Sequence, residues 1–171
     1  LAFHLVGCFF LYDFANDEGG YLINAKNIAL FNTISLEGVY NTALAPLHTL
    51  LHTFLYQLFS PGIFISRYIS ILFAFFLLAL FYVFAKKGYG RKVAVFSVLV
   101  IAVNGIFNRF TTLAIMEAEI YFFAILTILF CFSSKPWVRR LSFLPFSVCL
   151  GFKPVLFYLA IPLLYAISTG S

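Results

Sequence analysis

The sequence predicts an all-α fold: a polytopic transmembrane helical bundle with interfacial amphipathic helices in its first outer loop. Two observations carry this expectation. Hydrophobic residues make up 63% of the chain and charged residues 10%, against roughly 45–50% and ~25% in soluble domains. The basic residues fall in short clusters between apolar runs, where they act as topology signals, rather than along a stripe that would read as a nucleic-acid surface. The net charge of +5 therefore points to no nucleic-acid partner. Residues 1–171 read as a single membrane domain. Because the chain opens inside one apolar run and closes just past another, it is expected to be the N-terminal part of something longer.

Leu1–Tyr12 is apolar apart from His4 and is too short to cross ~30 Å of hydrocarbon, so it reads as a truncated first span rather than a signal peptide. Asp13–Ala45 is the most polar region. Within it, Gly20–Phe31 suits a short surface helix, with Tyr21, Leu22, Ala25, Ile28 and Ala29 on one side and Asn24 and Asn27 away from it. In Pro46–Phe59, Leu47, Leu50, Leu51, Phe54, Leu55 and Leu58 fill one arc at 100° per residue. His48, Thr49, His52, Thr53, Tyr56 and Gln57 fill the other. Too short to span, this segment is expected to lie flat on the membrane with Pro46 as its first residue.

Ile63–Ala85 is long enough to cross and ends at Lys86, Lys87, Arg91 and Lys92, a loop that the positive-inside tendency places in the cytoplasm. Val93–Phe107 is expected to return outward, and about 111–132 to come back to a second basic loop with Lys135, Arg139 and Arg140. This parity puts the first polar loop on the extracytoplasmic side. Lys153-Pro154 interrupts Leu141–Ser168, giving either two short helices or one kinked helix. Cys8, Cys131 and Cys149 lack paired spacing and read as packing residues.

Acids are costly in a bilayer, so their placement is informative. Only six Asp and Glu occur, and Asp13, Asp17 and Glu18 fall within six positions. An ionised carboxylate at an interface can serve as general base for an attacking hydroxyl; the plainer reading is a solvated or helix-capping acid. Glu117 and Glu119 are two apart, which sends them to different sides of a helix, one inward and the other toward water. Glu117 is either functional or salt-bridged to Arg109. Arg67 and Lys153 suit a lipid-borne phosphate, Arg as a two-pronged donor and Lys as a point charge, or they snorkel to head groups. His48 and His52, at i and i+4, lack an obvious third ligand, so no metal and no cofactor are expected, and a divalent ion has only this pair behind it. The 24 Phe and 10 Tyr are packing residues by default.

Taken in order, the Asp17-Glu18 pair, Ala45-Pro46-Leu47, Arg67, Glu117 ahead of Phe122-Phe123 and Gly151-Phe152-Lys153 resemble the class C integral-membrane glycosyltransferases. The likeness is to the branch of protein O-mannosyltransferases and bacterial lipid A aminoarabinose transferases, and it covers nearly the whole chain through short motifs. It implies two helices around Lys153 and transfer of a sugar, with inversion, from a polyprenyl-phosphate donor to a lipid, glycan or protein acceptor at the outer membrane face. Asp17 would then be the base, with Glu18 beside it and Glu117 a supporting acid. Arg67 and Lys153 would hold the donor phosphate, with His48 and Arg109 lining the substrate site. The chain departs from the pattern at Ala45, where a first Pro is usual, at His48, where a basic residue often follows, and at Glu117, where Asp is usual. The competing expectations are a transporter or channel, with Glu117, Glu119 and Lys153 along a pathway, and a non-catalytic membrane subunit.

Overall fold

The structure, a computed structural model, describes residues 16–34, 44–161, 164 and 168, and all the regular structure among them is helical. The expected first span and Asp13 lie outside the described residues. In chain order the helices are α1 (Asn16–Phe31), α2 (Pro46–Leu58), α3 (Ile63–Val103), α4 (Gly105–Thr112), α5 (Glu117–Cys131), α6 (Pro136–Arg140) and α7 (Phe143–Phe152). A 3₁₀ helix, Pro154–Leu159, follows.

The short surface helix expected at 20–31 exists as α1 and starts earlier, at Asn16. Leu22 and Ala25 are buried as the spacing requires, but so is Asn24, which the same spacing placed away from the apolar side. The reason lies in the neighbour: α1 packs along α2, and α2 meets it with its polar arc. Pro46 occupies the first turn of α2, where a missing N–H costs nothing.

The medium assigned to the two sides of α2 is corrected by the structure. His48, Thr49, His52, Thr53 and Tyr56 are buried inside the protein, whereas Leu50, Phe54 and Leu58 are 61%, 57% and 60% exposed. Some of these polar groups are satisfied locally. Thr53 Oγ1 donates to the Thr49 carbonyl at 2.8 Å and lies 3.5 Å from the Ala25 carbonyl of α1, and the Tyr56 and Ser66 hydroxyls share a bond of 2.7 Å. An outward leucine row is stable against lipid and unstable against water.

Among the described residues α3 is the one helix long and apolar enough to cross a membrane, and only 22% of its most apolar window is buried, unlike the core helix of a soluble protein. The expected basic loop at 86–92 is helical except at Gly90, whose φ of 83° and ψ of 171° interrupt the helix; a residue without Cβ adopts that conformation at no steric cost. The expected return span 93–107 ends early, at Val103. Asn104 leaves the helical region and its Oδ1 accepts from Phe107 N at 3.0 Å, capping α4; such short polar side chains favour caps.

The span expected at 111–132 is likewise divided: α4 and α5 are bent by 109° across residues 113–116. Counted as one broken span, this pair would be a second crossing. The break at Lys153 gives two helices, as the resemblance implied. Lys153 is extended, and Pro154 opens the 3₁₀ helix.

The core lies where α2, α5 and α7 meet. Ala45, Met116, Ile120, Cys149 and Phe152 are buried together, while Phe73 touches both Phe122 and Phe123, and Phe123 stacks on Phe152 at 5.9 Å. Cys131 and Cys149 are buried free thiols. Gly151 admits the close approach of α7 to α2: a Cβ there would stand 3.1 Å from Leu47 Cδ2 and 3.2 Å from Leu47 Cβ. Gly151→Val should therefore lower stability by about 1–3 kcal/mol through overpacking, read as a lower Tm in detergent. An unchanged Tm would mean the contact is slack.

Candidate functional site

The site is built on a buried ion pair. Ser66, Arg67, Ser70, Ala74 and Leu77 are buried residues of α3, spaced so that they form one stripe. This stripe turns Arg67 into the protein instead of toward head groups. Glu18, in the first turn of α1, meets it side-on. Arg67 Nε donates to Glu18 Oε1 at 2.9 Å and Nη2 to Oε2 at 2.8 Å, a fork-to-fork arrangement that Lys could not supply. The two side chains are 1% and 0% exposed. Glu18 Oε1 also accepts from Ala114 N at 2.6 Å, which ties the bend between α4 and α5 to the start of α1.

Glu18 and Arg67 thus act on each other, and this pairing accounts for both as structural anchors. Neither presents its charge to a substrate in this arrangement, so the expected roles of Glu18 beside the base and of Arg67 as a phosphate ligand give way to a positioning role. Asp17 is the neighbouring residue on α1, so its backbone is held by the same anchor.

Around the pair lies a polar seam in an otherwise apolar molecule. His52 Nδ1 donates to the His48 carbonyl at 2.9 Å; because a carbonyl only accepts, the proton is on Nδ1 and Nε2 is a bare lone pair. The two rings lie 4.2 Å apart between centroids. His48 Nδ1 is 4.0 Å from Glu119 Oε1, too long for a direct hydrogen bond. Both carboxylate oxygens of Glu119 are buried without a hydrogen-bond partner among the described residues, as are both ring nitrogens of His48 and Nε2 of His52. Among the described residues no group of three metal-ligand side chains comes together. His48 is therefore an interior residue next to Glu119 and not a group open to substrate.

Glu117 and Glu119 divide as their spacing required. Glu119 is fully buried, while Glu117 is 21% exposed and pairs with Lys153, 37% exposed, at 3.8 Å. Arg109 is exposed and forms no ion pair with Glu117; Lys153, brought back from α7, takes that place. The structure thus brings together Glu18 with Arg67, Glu117 with Lys153, and His48 with Glu119. It also reveals partners the sequence reading missed, namely Ser66, Tyr56 and the Ala114 N–H. The four-residue recurrence of Ser66, Ser70 and Ala74 in an apolar helix was a legible sign for the first of these; nothing in the sequence indicated the last.

Burial controls the histidines. Desolvation, then the neighbouring His52 ring, holds His48 well below its usual 6.5, although the Ala114 carbonyl pulls the other way. Desolvation likewise takes His52 down to about 4, against the opposing pull of the His48 and Ser66 backbone. Compared with known proteins, the chain matches no family model, no curated protein and no solved structure.

Two outcomes follow from this geometry. Glu18→Gln strands a buried guanidinium and should cost about 3–5 kcal/mol, whereas Glu18→Leu combined with Arg67→Met should recover much of that loss; additive losses in Tm would show that the two groups are not coupled. For the histidines, the folded pKa lies below the unfolded value, so the unfolded chain binds more protons between the two. Stability is full above pH 6.5 and declines as pH falls from 6.5 toward about 4, where His52 becomes protonated in the fold as well. The fall in Tm over that window should be shallower in the His48→Gln, His52→Gln double variant; an identical slope would remove the histidines as its cause.

Proposed function

We propose that this chain is the catalytic-loop region of a multi-pass integral-membrane glycosyltransferase, transferring a sugar from a polyprenyl-phosphate donor to a lipid, glycan or protein hydroxyl on the extracytoplasmic side. The observation that carries the reading is the Glu18–Arg67 pair. It locks the acidic start of α1 to the head of α3, a helix long and apolar enough to cross a membrane, and so holds the backbone of Asp17 near the end of that helix. An acid carried on a backbone so held suits an acceptor arriving from water and a donor arriving through lipid.

In this reading Asp17 takes the proton from the acceptor hydroxyl as its oxygen attacks the anomeric carbon. The bond to the phosphate oxygen breaks with inversion, and the phosphate leaves as an anion that needs a cation more than a proton. Lys153, part-exposed beside Glu117, and the exposed Arg109 are cations on the same proposed side. Glu117 keeps Lys153 in place, and Glu18 and Arg67 hold the frame.

A second reading has one observation in its favour: the unpartnered His48–Glu119 neighbours are the kind of buried ionisable groups that line proton or ion pathways. The two separate in one experiment. Asp17→Asn in the full-length protein should lower consumption of a polyprenyl-phosphate sugar by roughly 10²–10⁴-fold while leaving the protein folded. Undiminished turnover would remove Asp17 as the base. Proton uptake into proteoliposomes that Glu119→Gln abolishes, without any sugar transfer, would favour the pathway.

A further inference from the structure

The cavity beside the buried pair has a composition that this function has not yet used. It measures about 340 Å³ and is lined by Gly19, Leu22, Ile23 and Lys26 of α1, Tyr56 of α2, and Pro61, Gly62 and Ile63 at the entrance to α3. The four α1 residues are spaced three, four and seven apart, so they form one stripe of that helix. Leu22, Ile23, Pro61 and Ile63 make the walls apolar. Lys26, exposed, is the only charged residue of the lining, and among the described residues no carboxylate pairs with it. Of the two cations first expected to hold the phosphate, Arg67 is bonded to Glu18 and Lys153 is paired with Glu117. Arg109 lies on α4 and does not line the cavity.

We infer that this cavity holds the phosphate end of the lipid-linked donor, with Lys26 as the phosphate cation and the apolar walls around the first part of the chain. The inference rests on the glycosyltransferase reading and deepens it by adding Lys26, beside the cavity, to Lys153 and Arg109 as a cation for the donor phosphate. Charge and polarity select the occupant. A single cation on an otherwise apolar wall matches an amphiphile with one anionic head. A free sugar phosphate would leave the leucine and isoleucine walls unused, and a neutral lipid would leave Lys26 unpaired. The volume sits at the low end of ~300–1,000 Å³ for small-molecule sites, enough for a head group and the start of one chain. The position agrees as well, since the cavity opens where α3 begins and Gly19 is two residues from Asp17.

Gly19 makes the inference testable without damage to the fold. A Cβ placed there meets nothing within 4 Å, and leucine is a better helix former than glycine. Gly19→Leu should therefore fill the cavity while keeping or raising Tm. Binding would be measured on the full-length protein in neutral phosphatidylcholine nanodiscs, using fluorescent undecaprenyl phosphate, with undecaprenol as the uncharged probe and phosphatidylglycerol as competitor.

The expected result is saturable binding of the phosphate form and at least roughly tenfold weaker binding of the alcohol. Lys26→Ala should lose roughly tenfold, the effect of one charge-assisted contact, Lys26→Arg should recover it, and Gly19→Leu should abolish binding at unchanged or higher Tm. Displacement by phosphatidylglycerol at equal concentration would overturn the assignment in favour of bulk phospholipid. Wild-type affinity in both Lys26→Ala and Gly19→Leu, with sugar transfer intact, would overturn this inference alone. Failure of the wild-type protein to bind undecaprenyl phosphate at all would overturn both this inference and the reading it rests on.

Discussion

A buried carboxylate and a buried guanidinium, each without value unless the other is present, determine how this molecule is assembled. Glu18 and Arg67 are 49 residues apart, and once paired they bring the start of α1 against the head of α3. The third bond, from the Ala114 N–H, extends the same constraint to the bend between α4 and α5. Desolvating two ions is expensive, and the bidentate geometry with an added backbone donor is what offsets it. Such a pair contributes little net stability against an apolar substitute. It contributes position, because removing either partner leaves a buried charge unpaired.

The polar seam follows from this arrangement. α2 lies against α1 with its histidines and threonines inward, where His52 and Thr53 bond to backbone carbonyls and Tyr56 to Ser66. Leu50, Phe54 and Leu58 are left on the outside, while Leu55 is buried. The result is a molecule whose interior is more polar along one seam than parts of its surface, the inverse of a soluble domain and a workable solution next to hydrocarbon. Glu117 and Lys153, at the ends of α5 and α7, form a wetter pair where the same elements emerge. The geometry therefore separates two kinds of charge, one that frames and one that remains within reach of solvent.

Much of this was legible as pattern. The periodicity of Pro46–Phe59 gave its two arcs, the length and apolarity of 63–85 gave a helix long enough to cross a membrane, Lys153-Pro154 gave a break, and the spacing of Glu117 and Glu119 sent one in and one out. The errors have a common source. Asn24 was placed away from the buried side by helical spacing alone, which does not register the polar arc of α2 that α1 meets. Arg67 was read as open because its partner is distant in the chain, and Glu117 was matched with Arg109 because the two are close in sequence. Asn104 ended a helix through a cap, a local effect that hydropathy does not register.

By itself, then, the sequence determined that the described residues are helical, the break at Lys153-Pro154, and most of the residues that share a side of a helix. Periodicity is a property of one segment and needs no partner to be read. Only the tertiary structure decided which side of α2 faces inward, which acid meets Arg67, and which cation is left beside an apolar cavity. Those are choices between partners far apart in the chain, made by the cost of leaving a buried charge unpaired, and no single segment contains that cost.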